Sequence, residues 1–154
     1  MCIRDRFGGG QSSPVSAALA NGTIAHALDY DDTHFAHIGH LSVAIYPAAL
    51  AVGQEFDPSI IDVLDAYLAG AEAAVRIGTT LGVGHYERGF HQTATAGAFG
   101  ATIAAGRLLV LSREQFRAAI GLCSTRASGL KSQFGTMGKP LNAGFAASLS
   151  LIHI

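Results

Sequence analysis

The segment SIIDVLDAYLAGAEAAVRIGTTLG, introduced by Asp57-Pro58, admits little besides a helix. A cap-then-proline pair opens it, and Ile60, Ile61, Leu64, Tyr67, Leu68, Ala71 and Val75 recur at the three- and four-residue steps that align side chains on one helical face. Similar signals punctuate the rest of the chain. Ser13-Pro14 opens VSAALANGTIAHALDY, predicted helical over 14–32 with a weak point at Asn21-Gly22. Ser42 opens VAIYPAALAVGQEF, predicted helical once past Pro47. The segment HQTATAGAFGATIAAGRLLVL carries Gly97, Gly100 and several alanines on a face narrow enough for backbones to approach closely, and Ser112 with Gln115 has capping-box spacing. Residues 35–41 and 85–90 read as connections, and 129–144 as a long irregular stretch of the kind that commonly carries function. No alternating strand pattern of useful length and no internal repeat interrupts this reading. The expected fold is all-α, a multi-helix domain.

Composition narrows the function classes. A chain of 154 residues with 49% hydrophobic content can bury a sizeable core, yet only 14% of it is charged, against about 25% in an average domain. The formal net charge of -1 supplies no global field for nucleic acid or an acidic membrane, so recognition of anions has to be local. No apolar run approaches the roughly 18 residues of a membrane helix. Cys2 and Cys123 make neither a disulfide framework nor a metal knuckle, which points to a cytoplasmic setting, and MCIRDRF lacks the apolar core of a signal peptide. MCIRDR and SLSLIHI do not continue the patterns beside them and resemble translated adapter sequence. The expected domain therefore covers 7–147, flanked by non-native stretches at 1–6 and 148–154, and Cys2 and His153 carry no functional weight.

The chemistry concentrates between Asn21 and His40, where three aspartates and four histidines fall within twenty positions. Gathering ionisable groups costs free energy unless something binds or reacts there. A helix running through Thr33 would put His26, Asp29 and Thr33 on one face. Asp29 then reads as a general acid or base, with Thr33 and one of His34, His37 or His40 holding a substrate carboxylate. The competing reading is a solvated helix end with Asp32 capping the next segment. A metal site made from His34, His37, His40 and Asp29 is disfavoured, because no H-E-x-x-H or cysteine pair accompanies it and Gly39 interrupts the spacing. His91, following Gly89-Phe90 at a helix mouth, can complement an anion or deliver a proton, or simply cap its helix. Lys139 in GTMGKPL reads as an anion-binding loop lysine, or as an exposed one. The loop is not a Walker A motif, since Gln133 and Pro140 stand where glycine and Ser/Thr are required.

Four blocks, ANGTIAHALDYDDTH, HLSVAIYPAALAVGQ, GFHQTATAGAFGATIAAGRLL and GTMGKPLNAG, occur in the order of the MmgE/PrpD family, with the AEAAVRIG helix between the second and third. The chain resembles that family from about Pro14 to Ala147. The resemblance implies a partial copy of the family's large helical domain, with its smaller α/β domain absent from this chain. It carries active-site roles to Asp29 and Thr33 in DYDDT, His40 in HLS, His91 in GFHQT and Lys139 in GKP. His37 competes with His40 for its position because the preceding loop is one residue longer than in decarboxylase-like members. Asn142 stands where a histidine is usual. The resemblance further implies a homodimer and catalysis with no cofactor and no metal. The substrate would be a small di- or tricarboxylate, and 2-methylcitrate dehydration is the first expectation. Decarboxylation of cis-aconitate or epimerisation of iminodisuccinate by the same pocket is the alternative. A non-catalytic dimerisation module using the Gly/Ala faces, and a metal-dependent hydrolase, are the rivals from other classes.

Overall fold

A computed structural model describes residues 4–152, so the expectations placed on Cys2 and His153 lie outside the described residues. Six α-helices follow a two-residue antiparallel pairing of β1 (Arg4–Asp5) with β2 (Gln11–Ser12). They are α1 (Pro14–Ala25), α2 (Ser42–Phe56), α3 (Ile60–Glu87), α4 (Gln92–Leu108), α5 (Arg113–Ser124) and α6 (Gly138–Ile152), with a single 3-10 turn at Lys131–Gln133. The fold is all-α, as the periodicity requires. Among the described residues no helix is long and apolar enough to cross a membrane.

Helix α4 forms the centre. Nearly all of its residues are buried, and it packs against α2, α3, α5 and α6. Small side chains make this possible: a Cβ on Gly70 of α3 would stand 2.5 Å from the Gly100 carbonyl oxygen of α4. The buried face of α3 is accordingly Val63, Ala66, Gly70, Ala74 and Gly78. The larger stripe named from periodicity is divided. Ile60, Ile61, Leu64 and Leu68 are exposed, whereas Tyr67, Ala71 and Val75 pack on the cluster of Leu41, Ile45, Ala49 and Val63. Close backbone approach decided which face turned inward.

Several boundaries differ from the sequence expectation, each for a local reason. Helix α1 starts at its Ser13 cap, whose hydroxyl accepts from the Ser16 N–H, but it stops at Ala25 rather than 32. Asn21-Gly22 does not weaken it: a Cβ on Gly22 would sit 3.0 Å from Gly144 Cα, so this is the α1–α6 crossing. Helix α2 already begins at Ser42, because burying Val43, Ala44 and Ile45 outweighs the backbone hydrogen bond that Pro47 forfeits within the helix. Asp32 Oδ1 accepts from the Ser42 N–H at 3.1 Å, the capping role foreseen for it. Ser59, not Asp57, caps α3 in a reciprocal box with Asp62, and Asp57 instead closes α2 in a left-handed conformation. Ser112 and Gln115 form the expected box at α5. The stretch 129–144 is less irregular than its composition indicates. Leu130 bridges to Phe90, the 3-10 turn follows, and α6 starts at Gly138 and runs unbroken beyond Ala147, burying Ser148 and Ser150.

Candidate active site

The cleft has a rigid wall and an irregular one. His91 is the N-cap residue of α4; its backbone N–H donates to the Gly129 carbonyl at 2.9 Å, while Lys131 N–H donates to Gly89 at 2.8 Å. This pairing carries Phe134 to the His91 ring, which it meets edge-on at 5.0 Å. Lys139 sits in the first turn of α6 rather than in a loop, so its ammonium adds to the positive end of that helix. The opposite wall is residues 26–41, which leave helical geometry after Ala25. Asp29 adopts a left-handed conformation (φ 59), and so does Ile38 (φ 55). For a β-branched side chain this conformation is strained, a cost that clusters at functional sites.

Turns rather than helical periodicity therefore bring the first block together. His34 N–H donates to the Gly39 carbonyl at 2.9 Å, closing a turn, and the His40 N–H donates to Thr93 Oγ1 of α4 at 3.0 Å. His37 is fully buried and its Nδ1 lies 3.1 Å from the Ala74 carbonyl. Burial pushes its pKa below the ordinary histidine value. His37 is thus a structural plug against α3, and His40 is the residue that reaches the cleft. The trio His34, His37 and His40 does not converge.

Four of the five residues singled out from sequence form direct contacts or share a ring neighbour. Lys139 Nζ lies 2.5 and 2.6 Å from the Asp29 carboxylate oxygens. His40 Nε2 is 3.5 Å from Asp29 Oδ1. The His91 ring stacks at 6.0 Å on His26, which itself meets the His40 ring edge-on at 4.6 Å. Thr33, the fifth, lines a cavity of about 210 Å³ with His40, His91, Lys139, Tyr86 and Phe134, while Asp29 lines the adjoining one with His26 and Lys139.

Asp31, together with His26, to which the sequence assigns only a helical face shared with Asp29 and Thr33, completes the cluster. Asp31 holds His26 Nδ1 at 2.9 and 3.0 Å, and its Oδ2 lies 2.8 Å from His40 Nδ1. The His40 contact is a close ion pair rather than an aligned hydrogen bond, since Nδ1 has no partner of hydrogen-bond geometry. Their available signal was the density of acids and imidazoles itself, within which Asp31 is two residues from Asp29.

Electrostatics separates the two cleft histidines. Contact with Asp31 raises the His40 pKa against the opposing effect of burial. Burial, reinforced by His26 and Lys139, pushes His91 down to about 3. Burial opposes ionisation of Asp31, but its contacts with His26 and His40 prevail and hold it below the usual carboxylate range. Lys139 likewise lowers Asp29. Asn142 fixes the neutral form of His91: its Nδ2 faces both the Leu130 carbonyl and His91 Nδ1, each at 3.3 Å. A carbonyl only accepts, so Nδ2 donates, His91 Nδ1 accepts, and the ring proton resides on Nε2.

Donor atoms of His26, Asp29, Asp31 and His40 lie within 4.8 Å of one another, a set that could hold a divalent ion. The Lys139 ammonium already occupies Asp29 and would oppose such an ion.

The helical domain thus sets an ammonium, two imidazoles whose pKa values are shifted in opposite directions and a carboxylate around adjoining cavities. The chain belongs to the MmgE/PrpD family, whose N-terminal domain matches residues 6–153. It is 34% identical over 151 residues to the cis-aconitate decarboxylase of Aspergillus terreus, covering 94% of this chain and 31% of that protein. It is 30% identical over 139 residues to the cis-aconitate decarboxylase of Homo sapiens, covering 87% of this chain and 29% of the relative. The chain spans less than a third of the length of these relatives.

Proposed function

We propose that this chain is the N-terminal helical part of a lyase that removes a carboxyl group from a small tricarboxylate, with cis-aconitate as the substrate. The observation that carries this reading is that Thr33, His40, His91 and Lys139, from well-separated segments, line one cleft, and that Asp29, 110 residues from Lys139, joins it through their ion pair. A multiply charged acid needs cations and donors at separate points. Lys139 and protonated His40 meet two carboxylates, and Thr33 and the neutral His91 donate hydrogen bonds without adding charge. When the carbon–carbon bond to the departing carboxylate breaks, its electron pair stays on the carbon skeleton and spreads toward a remaining carboxylate. Fixed donors at that carboxylate stabilise the charge as it develops. Carbon dioxide leaves, and His40 Nε2 delivers a proton to carbon, leaving a neutral imidazole to be reprotonated from solvent.

The relatives' names favour decarboxylation over the 2-methylcitrate dehydration that ranked first on sequence. The same donors also suit dehydration or epimerisation, in which a base removes a proton beside a carboxylate. Product analysis by NMR separates the three: the longer protein carrying this chain is offered cis-aconitate, 2-methylcitrate and iminodisuccinate in turn. Loss of one carboxyl signal with release of carbon dioxide supports the proposal. Water loss with all carboxyls retained assigns a dehydratase. Histidine shifts unmoved by every acid would leave a non-catalytic helical module. A homodimer in the cytoplasm is the setting that the family likeness and the two-cysteine composition support, and sedimentation of the longer protein checks the dimer.

A further inference from the structure

We propose that Asp31 is the positioning residue of this site, a shared carboxylate that clamps His26 and His40 and presents the Nε2 edge of His40 to Asp29 and the cleft. The inference rests on the lyase reading for its consequence, and on geometry for its substance. The Asp31 side chain is only 10% exposed and lies between two imidazoles. One of them, His26, is fully buried and engages both carboxylate oxygens at 2.9 and 3.0 Å; the other, His40, approaches Oδ2 at 2.8 Å. An ionised carboxylate only accepts, so the proton of His26 belongs on Nδ1, and the carboxylate charge 2.8 Å from His40 Nδ1 favours a proton on that nitrogen too, although the contact is an ion pair rather than an aligned hydrogen bond. The remaining nitrogen of His40, Nε2, is the atom nearest Asp29, at 3.5 Å.

The division of labour follows. The backbone of His40 is tied to Thr93, which fixes where the ring begins, and Asp31 fixes where the ring points. His26 is too buried to meet solvent. By occupying Asp31 it restrains the carboxylate from turning away from His40. A proton handed from His40 Nε2 to carbon leaves Nδ1–H still facing Asp31, so the ring keeps its orientation through the cycle, as an orienting carboxylate does behind other catalytic histidines. The charged groups that face His40 are Asp31, Asp29 and Lys139; His26 is its ring neighbour, and His91, stacked on His26, and His37 lie within electrostatic reach. Asp31 is the closest of the acids.

The test is nitrogen-15 NMR of the histidines in this chain, followed by kinetics of the longer protein. In the unsubstituted chain neutral His40 should be the Nδ1–H tautomer with a pKa above the ordinary histidine value. Asp31→Asn should lower that pKa and shift the proton toward Nε2. In the enzyme the same substitution should reduce kcat by about 10²-fold or more with little change in KM, and move the limb of the pH profile assigned to His40 downward. Neutral His40 found as the Nε2–H tautomer in the unsubstituted chain overturns the proposal even if Asp31→Asn fails to fold. So does a folded Asp31→Asn with an unmoved His40, or an activity loss with an unmoved pH limb, which would mark a merely structural role. A moved His40 in an enzyme that turns over none of the acids sinks the lyase reading instead.

Discussion

Asp29 and Lys139, 110 residues apart in sequence, form an ion pair in which one ammonium faces both carboxylate oxygens. An incoming carboxylate competes with Asp29 for that ammonium, so the two consequences of neutralising the aspartate should run in opposite directions. Asp29→Asn should bind small carboxylates more tightly, because Lys139 is released and a repelling charge is gone. The same variant should turn them over about 10²-fold or more slowly if Asp29 takes part in proton handling. Calorimetric titration and steady-state kinetics on the longer protein measure both; weaker binding in Asp29→Asn would contradict the competition.

Lys139→Met should show the other side of that pair. Asp29, without its neighbour, should titrate at a higher pH, as read by carbon-13 NMR of the carboxyl. Affinity for a dicarboxylate should fall roughly 10- to 100-fold, the value of a hydrogen bond to a charged partner.

His91 makes stability depend on pH. Its folded pKa of about 3 lies below the value of about 6.5 for an unfolded histidine, so between these limits the unfolded chain binds the extra proton. Stability should therefore decline as pH falls from about 6.5 toward 3, and buried His37 should add to the decline in the same sense. His40 acts oppositely, since its raised pKa gives stability below about 6.5 that is lost as pH rises through the folded value. Urea unfolding across this range should give a shallower acid slope for His91→Gln, and the longer enzyme with that change should lose about 10²-fold or more in rate.

Asn142 should control the charge of His91. Replacing the amide by a carboxylate puts an acceptor opposite Nδ1, so Asn142→Asp should raise the His91 pKa and bring a proton to Nδ1. Nitrogen-15 shifts report the change directly, and an unaltered tautomer would refute the assigned Asn142 orientation.

Two glycines test the packing that carries the site. A Cβ on Gly78 would meet His37 Nδ1 at 2.8 Å and His37 Cα at 2.9 Å, so Gly78→Ala should destabilise by about 1–3 kcal/mol, the usual cost of overpacking. It should also broaden or shift the NMR signals of His40. On α5, a Cβ at Gly121 would meet nothing within 4 Å, and Gly121→Ala should stabilise by roughly 0.5–1 kcal/mol through helix propensity alone. Denaturant midpoints distinguish the two.

Helix identity was legible wherever a cap met an apolar period, as at Ser13-Pro14 and at Ser112 with Gln115. Facing was not. Ile60, Ile61, Leu64 and Leu68 form the more hydrophobic stripe of α3, yet the smaller face won because only glycine and alanine let it approach Gly100 and Ala104. The candidate residues Asp29, Thr33, His40, His91 and Lys139 come from the motifs of the family resemblance, but the geometry joining them is not written in the sequence. The pattern placed His26, Asp29 and Thr33 on one helix, whereas the chain turns through left-handed Asp29 to bring them near. Asp31 was hidden for a related reason, since its value comes from tertiary contact with two imidazoles and no spacing rule announces it.

The neutral ring of His37, wedged between the 34–40 turn and Gly78, gives acid a specific point of attack. A proton forced onto that ring has to be solvated, and the ring can reach water only by leaving its slot and drawing the neighbouring turn outward. Among the described residues, the buried members of the three apolar clusters around α4 include no ionisable group other than Cys123, which acid leaves neutral; buried His91 stands apart from them at the helix's N-cap. Acidification should thus unseat one wall of the cleft while the scaffold stays folded, and amide exchange would record it as a short segment opening ahead of global unfolding.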